Sequence, residues 1–279
     1  MIQDIFPHKL YNQYRPDIQP GKDDYVICIK DQNMLVNKKQ MDHLVLEFPR
    51  VGDFTQKLNL RYLLSVDDEH YFIYDQQDKA EEPLLSGYDY MDIRKIRKSG
   101  SAPRYRIFAL LTAKHLYDWY RDNVFCGRCG EKMVHSKKER AMMCKCCGYV
   151  SYPRIMPAVI VGVRDKDRLL ITRYRNGYQH NALVAGFTEI GETLEETVMR
   201  EVMEETGIRV KNIEYYKSQP WGIANDILMG FYCDAEGSVD IRMEEDVLKY
   251  AEFVHKKDIV LQPDDFSLTN EMMKVFKES

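Results

Sequence analysis

The sequence lacks any long hydrophobic run: no window approaches the roughly 18 apolar residues that a membrane-spanning helix requires. Its opening stretch, MIQDIFPHKL, lacks the charged, apolar and small-residue layout of a secretory signal, so a cytoplasmic protein is expected. Positive charge is not in excess. Lys and Arg number 40 against 44 Asp and Glu, and a net charge of −4 excludes a global basic field for nucleic acid. There is no internal repeat and no low-complexity segment. Cysteine is sparse outside one place: of seven, five fall between Cys126 and Cys147, the others being Cys28 and Cys233. That crowding points to a metal site in a reducing compartment rather than to a disulfide scaffold. What is present is an ordinary globular composition, 44% hydrophobic and 30% charged over 279 residues, long enough for more than one domain and a sizeable core.

The first part of the chain reads as β-rich. YVICI and NMLV flank a turn at Lys30-Asp31-Gln32, and RYLLSV and YFIYD flank Asp67-Asp68-Glu69-His70. LLSGYDYMDIRKIRKSGSAP then reads as a charged connector ending at Pro103. A helix follows, with Ala109, Ala113, Leu116 and Tyr120 at helical spacing, and its aromatics Tyr117, Trp119 and Tyr120 are expected to pack rather than to form a ligand platform.

Cys126-x-x-Cys129 and Cys144-x-x-Cys147 make two knuckles, each followed by a glycine, Gly130 and Gly148. Four thiolates at this spacing close a tetrahedral zinc shell, which leaves no open position for water and so serves structure. Zinc binding would fold a segment with almost no core of its own. Cys146 is a bystander in this reading, and His135 a surface residue.

Beyond the knuckles, YPRIMPAVIVGV supplies an extended entry and a buried strand. RLLITRY returns as a second strand after a turn at Asp165-Lys166-Asp167. Glycines then lead into a helix capped by Thr193, with Glu196 completing a capping box, and ended by Gly207. Leu194, Val198 and Val202 form its core stripe. The same helix places Glu201, Glu204 and Glu205 close together. At about 100° per residue Glu205 falls between Leu194 and Val198, with Glu201 beside them. An inward cluster of carboxylates requires protons or a neutralising charge, and a divalent cation is the natural one.

Gly186, Glu192 and the run Arg200-Glu201-Val202-Met203-Glu204-Glu205-Thr206-Gly207-Ile208 together resemble the Nudix box at every specified position. The preceding four-cysteine ribbon and the run SQPW, Ser218 to Trp221, narrow the resemblance to the NADH pyrophosphatase (NudC-type) family of Nudix hydrolases. It covers roughly residues 105 to 279. An α+β chain is expected: the strand pattern gives a β-rich amino-terminal domain with a connecting helix (1–122), and the resemblance implies a zinc ribbon (123–153) and a Nudix α/β/α sandwich with a mixed sheet (154–279). It implies cleavage of NAD(H) to nicotinamide mononucleotide and AMP, with removal of NAD caps from RNA in several members. Glu201 and Glu205 would ligate Mg²⁺ or Mn²⁺, assisted by the Ala185 carbonyl, and Glu204 would be a further ligand or a general base. Glu192 and Arg200 would form a structural ion pair. Glu139, Tyr152, Gln219, Pro220, Trp221 and Ser267 to Thr269 match substrate-contacting positions, Thr269 among them. Members are usually homodimers with a site built from both chains.

The chain also departs from that family. Its motif continues as Pro-Phe-Pro-x-Ser after the tryptophan, whereas Gly222-Ile223-Ala224-Asn225-Asp226 stands here. An additional metal-binding glutamate of the family aligns with Val247 or Asp246, with Glu244 and Glu245 nearby, and Asp246 is taken as a weak auxiliary ligand. Two other readings compete: hydrolysis of another nucleoside diphosphate derivative such as ADP-ribose, and a non-catalytic nucleotide- or RNA-binding regulator. The intact acidic run argues against the second.

Overall fold

Alternation of buried residues at every second position builds the sheet that carries the acid helix. In the strand β1 (Met156–Asp165), Ala158 and Ile160 face one side, and Val159, Val161 and Val163 the other. Both sides are therefore covered. β1 turns at Lys166, φ +57°, into β2 (Arg168–Tyr174), but the two pair only beside the turn. Further along, β3 (Val184–Phe187) takes over the edge of β1, from Ala158 opposite Phe187 to Val161 opposite Val184. The acid helix α1 (Leu194–Thr206) follows, then a long hairpin of β4 (Arg209–Trp221) and β5 (Asp226–Glu236), then β6 (Leu248–His255) and α2 (Leu268–Glu278). The sheet order is β4-β5-β1-β2-β6, with β3 on β1; β1 and β5 run parallel and the other pairs antiparallel. Val198 and Val202 of α1 pack on the Val159 face. Leu268, Met272, Met273 and Phe276 of α2 pack on the Ile160 face. The result is an α/β/α sandwich with a mixed sheet.

This computed structural model describes residues 1–40, 44–74, 85–177, 179–244 and 246–279. The chain divides into two compact units. One comprises Met1–Ile2, Ile155–Trp221 and Asp226–Ser279, the sandwich just described; the other comprises Gln3–Arg154 and Gly222–Asn225. Among the described residues no helix is long and apolar enough to cross a membrane.

The second unit is β-rich, with corrections to the expected elements. YVICI is not one strand: Tyr25–Ile27 pairs in one sheet and Ile29–Lys30 in another, and the chain changes sheet at Cys28, whose carbonyl accepts from Leu35 N at 3.0 Å. The hairpin between Leu60–Val66 and Glu69–Tyr74 turns on Asp67 and Asp68 alone, because Asp67 adopts φ +50° and Glu69 pairs with Val66. Asp75, placed in that strand by the sequence, lies outside the described residues. The charged connector is largely regular. Tyr88–Asp92 pairs with Asn33–Gln40, and Asp92 caps a short helix, Ile93–Lys98, by accepting from Arg94 N at 2.8 Å. Ile93 and Ile96 are buried, which is what the charge count concealed. The helix Arg104–Asp122 starts after Pro103 and buries Tyr117, Trp119 and Tyr120. Three short strands, Met133–His135, Met142–Cys144 and Val150–Ser151, form the ribbon sheet.

Candidate active site

The rotation of α1 is set by its ends and its stripe. Thr193 Oγ1 accepts from Glu196 N at 3.2 Å, and Glu196 Oε2 accepts from Thr193 N at 2.8 Å. Gly207, at φ +72°, closes the helix on Met203 O. With Val198 and Val202 fully buried and Leu194 partly so, the three acids fall at three depths. Glu205 is inside, 4% exposed; the Glu201 side chain is 13% exposed at the rim, and that of Glu204 is 54% exposed.

Arg200 holds two of these acids and a third from the loop before the helix. Its Nη1 donates to Glu201 at 2.7 Å and to Glu204 at 3.0 Å. Nε and Nη2 donate to the two oxygens of Glu192 at 2.6 and 2.9 Å, and Nη2 also donates to Phe187 O at 2.9 Å. Glu192 accepts as well from Thr197 Oγ1 and Glu189 N. The guanidinium, then these donors, hold the Glu192 carboxyl down to about 2.

Glu205 has no such support. Its Oε1 lies 3.5 Å from the Tyr174 hydroxyl, and its buried Oε2 has no hydrogen-bond partner among the described residues. Burial first, then the neighbouring Glu201 charge, push its carboxyl up to about 8. Glu244 adds to that push, and its backbone N–H donates to Glu205 O at 3.0 Å. The Tyr174 hydroxyl also lies 3.5 Å from Ala185 O. Tyr174 was not singled out by the sequence reading, since its place at the end of a buried strand carries no motif. An orphaned carboxylate oxygen, a second acid beside it and a backbone carbonyl are all hard oxygen donors. That set suits a divalent cation of the Mg²⁺ or Mn²⁺ kind, which would neutralise the charge that burial disfavours.

Of the three acids before β6, Glu245 lies outside the described residues. Asp246 is exposed in the turn that enters the strand. Glu244 is exposed too, but its backbone is fixed: besides bonding to Glu205 O, its carbonyl accepts from Val247 N and Leu248 N at 3.1 and 2.8 Å.

SQPW ends β4. Gln219, expected to contact substrate, is buried and braces the fold. It is 0% exposed; its Nε2 donates to Phe266 O at 2.8 Å and its Oε1 accepts from Leu268 N at 2.7 Å. An amide buried this deeply directs its hydrogen bonds to the fold. Pro220 is exposed, and Trp221 is half-buried against the apolar cluster that includes Leu228 and Met272. Thr269 is half-buried in the first turn of α2, behind the N-cap Ser267, which accepts from Asn270 N at 3.1 Å. In the other unit the structure brings Glu139 and Tyr152 together, the Tyr152 hydroxyl donating to Glu139 at 3.1 Å with the ring 56% exposed.

The four knuckle cysteines converge. Cys126 and Cys147 Sγ stand 3.6 Å apart, Cys129 and Cys144 Sγ 3.5 Å apart, and all four lie within 4.8 Å of one another. A tetrahedral shell with Zn–S near 2.3 Å requires thiolates about 3.8 Å apart, so this set fits zinc. Each knuckle closes on its glycine: Gly130 N donates to Cys126 O at 2.8 Å and Gly148 N to Cys144 O at 3.0 Å, with φ of +80° and +73°. Backbone hydrogen bonds, chiefly from Cys147, lower the Cys144 thiol, which favours the ligating thiolate. Cys146 is exposed and outside the group. His135, expected at the surface, is half-buried, its ring centroid 5.2 Å from that of Tyr120.

Residues 154–275 match the NUDIX domain, and residues 121–152 match the NADH pyrophosphatase zinc ribbon domain. An NAD-capped RNA hydrolase NudC of Klebsiella pneumoniae subsp. pneumoniae is 44% identical over 152 residues, which cover 53% of this chain and 58% of that protein. The NAD-capped RNA hydrolase NudC of Salmonella paratyphi C is 42% identical over 151 residues, with the same coverage. The chain thus spans little more than half the length of these relatives. Among solved structures, a NUDIX hydrolase from Nitrosomonas europaea superimposes with a TM-score of 0.46 at 19% identity, covering 55% of this chain and 90% of that one.

Proposed function

We propose that this chain is a metal-dependent hydrolase that cleaves the central diphosphate of NAD(H), giving nicotinamide mononucleotide (or its reduced form) and AMP, and that it also acts on NAD caps of RNA. The observation that carries the reading is Glu205: a buried carboxylate with an orphaned oxygen, set beside Glu201 in a NUDIX domain that follows an NADH pyrophosphatase zinc ribbon. The similarity to proteins named as NAD-capped RNA hydrolases supports the substrate class.

In this reading Glu201 and Glu205 hold Mg²⁺ or Mn²⁺, with Ala185 O as a third oxygen. When bound, the cation screens the diphosphate oxygens and polarises the phosphorus. Arg200 holds the rim acids in place, and Glu204, the exposed one, accepts the proton of the attacking water or adds a ligand. Glu244, whose charge already acts on Glu205, is a stronger candidate than Asp246 for the auxiliary acid. Trp221 and Pro220 offer an apolar surface to a base or nicotinamide ring, and Thr269, Tyr152 and Glu139 complete the substrate contacts. The working protein is a cytoplasmic homodimer of three segments, 1–122, 123–153 and 154–279.

The test is a substrate panel on the purified chain with Mg²⁺ or Mn²⁺: NADH, NAD⁺, ADP-ribose and NAD-capped RNA, with products identified by mass. Nicotinamide mononucleotide and AMP are expected. Turnover of ADP-ribose alone would replace the substrate and keep the chemistry.

A further inference from the structure

Gly222 to Asn225 form the tip of the β4–β5 hairpin and belong to the amino-terminal unit, where they meet the helix Arg104–Asp122. The approach is so close that a Cβ on Gly222 would stand 2.1 Å from Leu111 O. Beneath the tip lies a buried ion pair one helical turn apart. Lys114, 2% exposed, donates from Nζ to Asp118 Oδ2 at 2.6 Å, and Asp118 is 3% exposed. Both partners also engage the tip. Lys114 Nζ donates to Ile223 O at 3.2 Å, and Asn225 Nδ2 donates to Asp118 Oδ2 at 3.1 Å, with Asn225 held at φ +63°.

A buried pair of charges is a poor source of net stability, because the desolvation cost roughly cancels the attraction. What it does well is fix geometry, since displacement leaves the buried Lys114 ammonium unmatched, whereas Asp118 is also met by Arg121 Nη1 at 3.3 Å. The tip needs such a device. It begins with glycine, contains no proline, and follows directly on Trp221, so nothing in its own sequence restrains the chain beyond the tryptophan.

We propose that the Lys114–Asp118 pair is a clamp on the hairpin tip that positions Trp221, and thereby sets substrate affinity. This rests on the reading above, which assigns Trp221 to the substrate. Lys114 and Asp118 are positioning residues, acting through the tip and not on the reacting atoms.

The experiment uses Trp221 as its own reporter. The chain has two tryptophans, so a Trp119→Phe background leaves only Trp221 emitting. In that background Lys114→Met and the paired apolar replacement Lys114→Met/Asp118→Leu are compared with the parent by acrylamide quenching, melting temperature and NADH kinetics. The double variant removes both charges and guards against unfolding caused by an orphaned aspartate; Asn225→Ala, which leaves the helix intact, gives a third reading. The clamp predicts more efficient quenching of Trp221 and a KM raised about tenfold, near the low end of what a base–aromatic stack is worth, with kcat changed far less. Unchanged quenching in variants that melt like the parent overturns the proposal, and so does an unchanged KM in an enzyme that turns over NADH. If the parent ignores NADH, the substrate reading fails separately and quenching alone decides the clamp.

Discussion

A methyl group placed on Gly186 would stand 1.9 Å from the carboxyl carbon of Glu201. The strand passes the helix so closely that the glutamate occupies the space of the missing side chain. Gly186→Ala must therefore displace the Glu201 carboxylate or push the strand off the helix. Its kcat is expected to fall by about two orders of magnitude or more, as when a well-placed electrostatic group is lost, and Mn²⁺ affinity to fall with it. Calorimetric titration showing parental Mn²⁺ affinity in the alanine variant would contradict the packing argument.

Glu205→Gln preserves size and removes charge. Turnover is expected to drop by orders of magnitude, on the scale of a lost preorganised charge, while substrate binding weakens much less. A second readout is independent of turnover: Mg²⁺ or Mn²⁺ should raise the melting temperature of the parent and leave that of the variant unmoved. Near-normal activity at ordinary Mg²⁺ would remove Glu205 from the cation.

The auxiliary acid is separable by titrating activity against metal. Glu244→Gln is expected to shift the activation curve to higher Mg²⁺, because Glu244 acts on Glu205 while its backbone is tied to the Glu205 carbonyl. Asp246→Asn, in the exposed turn, should shift it less. The reverse order would return the role to Asp246.

Zinc content should follow the sulfur geometry. Cys144→Ser is expected to lose the ion and to destabilise the chain, whereas Cys146→Ser, outside the converging group, should retain one zinc per chain. Elemental analysis decides between them, and unchanged zinc in Cys144→Ser would exclude this shell.

Asp226 predicts a pH dependence of stability. It is 5% exposed, its Oδ1 has no hydrogen-bond partner among the described residues, and burial pushes its carboxyl up to about 6. Below pH of about 4, the ordinary aspartate value, folded and unfolded chains both carry the proton and the site costs nothing. Between about 4 and about 6 the unfolded chain gives up the proton that the folded chain retains, so stability falls across that window and levels off above 6, where the folded chain buries the charge. Asp226→Asn is thus expected to stabilise the protein at pH 8 by on the order of 2–3 kcal/mol, the gain vanishing toward pH 4. Denaturant titrations across that range test it; a gain independent of pH would mean that the charge is not the cause.

What the sequence disclosed was what is local. The capping box at Thr193, the stop at Gly207 and the depth of Glu205 follow from spacing within one helix, and the paired knuckles from spacing within one ribbon. What it concealed depends on partners far along the chain. Cys28 changes sheet because Tyr71–Ile73 and Met34 claim its two neighbouring segments, and nothing within YVICI marks the break. Tyr88–Asp92 is a strand because Asn33–Asn37 lies alongside it. Gln219 reads as a motif residue, and its bracing of the fold is hidden because Phe266 and Leu268 come to meet it from far along the chain. Tyr174 is defined by Ala185 and Glu205, which no periodicity links to it.

Arg200 holds Glu192, Glu201 and Glu204 but, among the described residues, makes no bond to Glu205. A chain synthesised from its amino terminus therefore makes the helix together with the one guanidinium that ties its rim acids, before β5 and β6 exist to enclose it. The rim acids arrive already held in place, though one cation does not cancel three carboxylates. The inner acid is left with an imbalance that the described side chains do not cancel, and a cation taken up there in place of a proton would complete the packing as much as it would equip the chemistry.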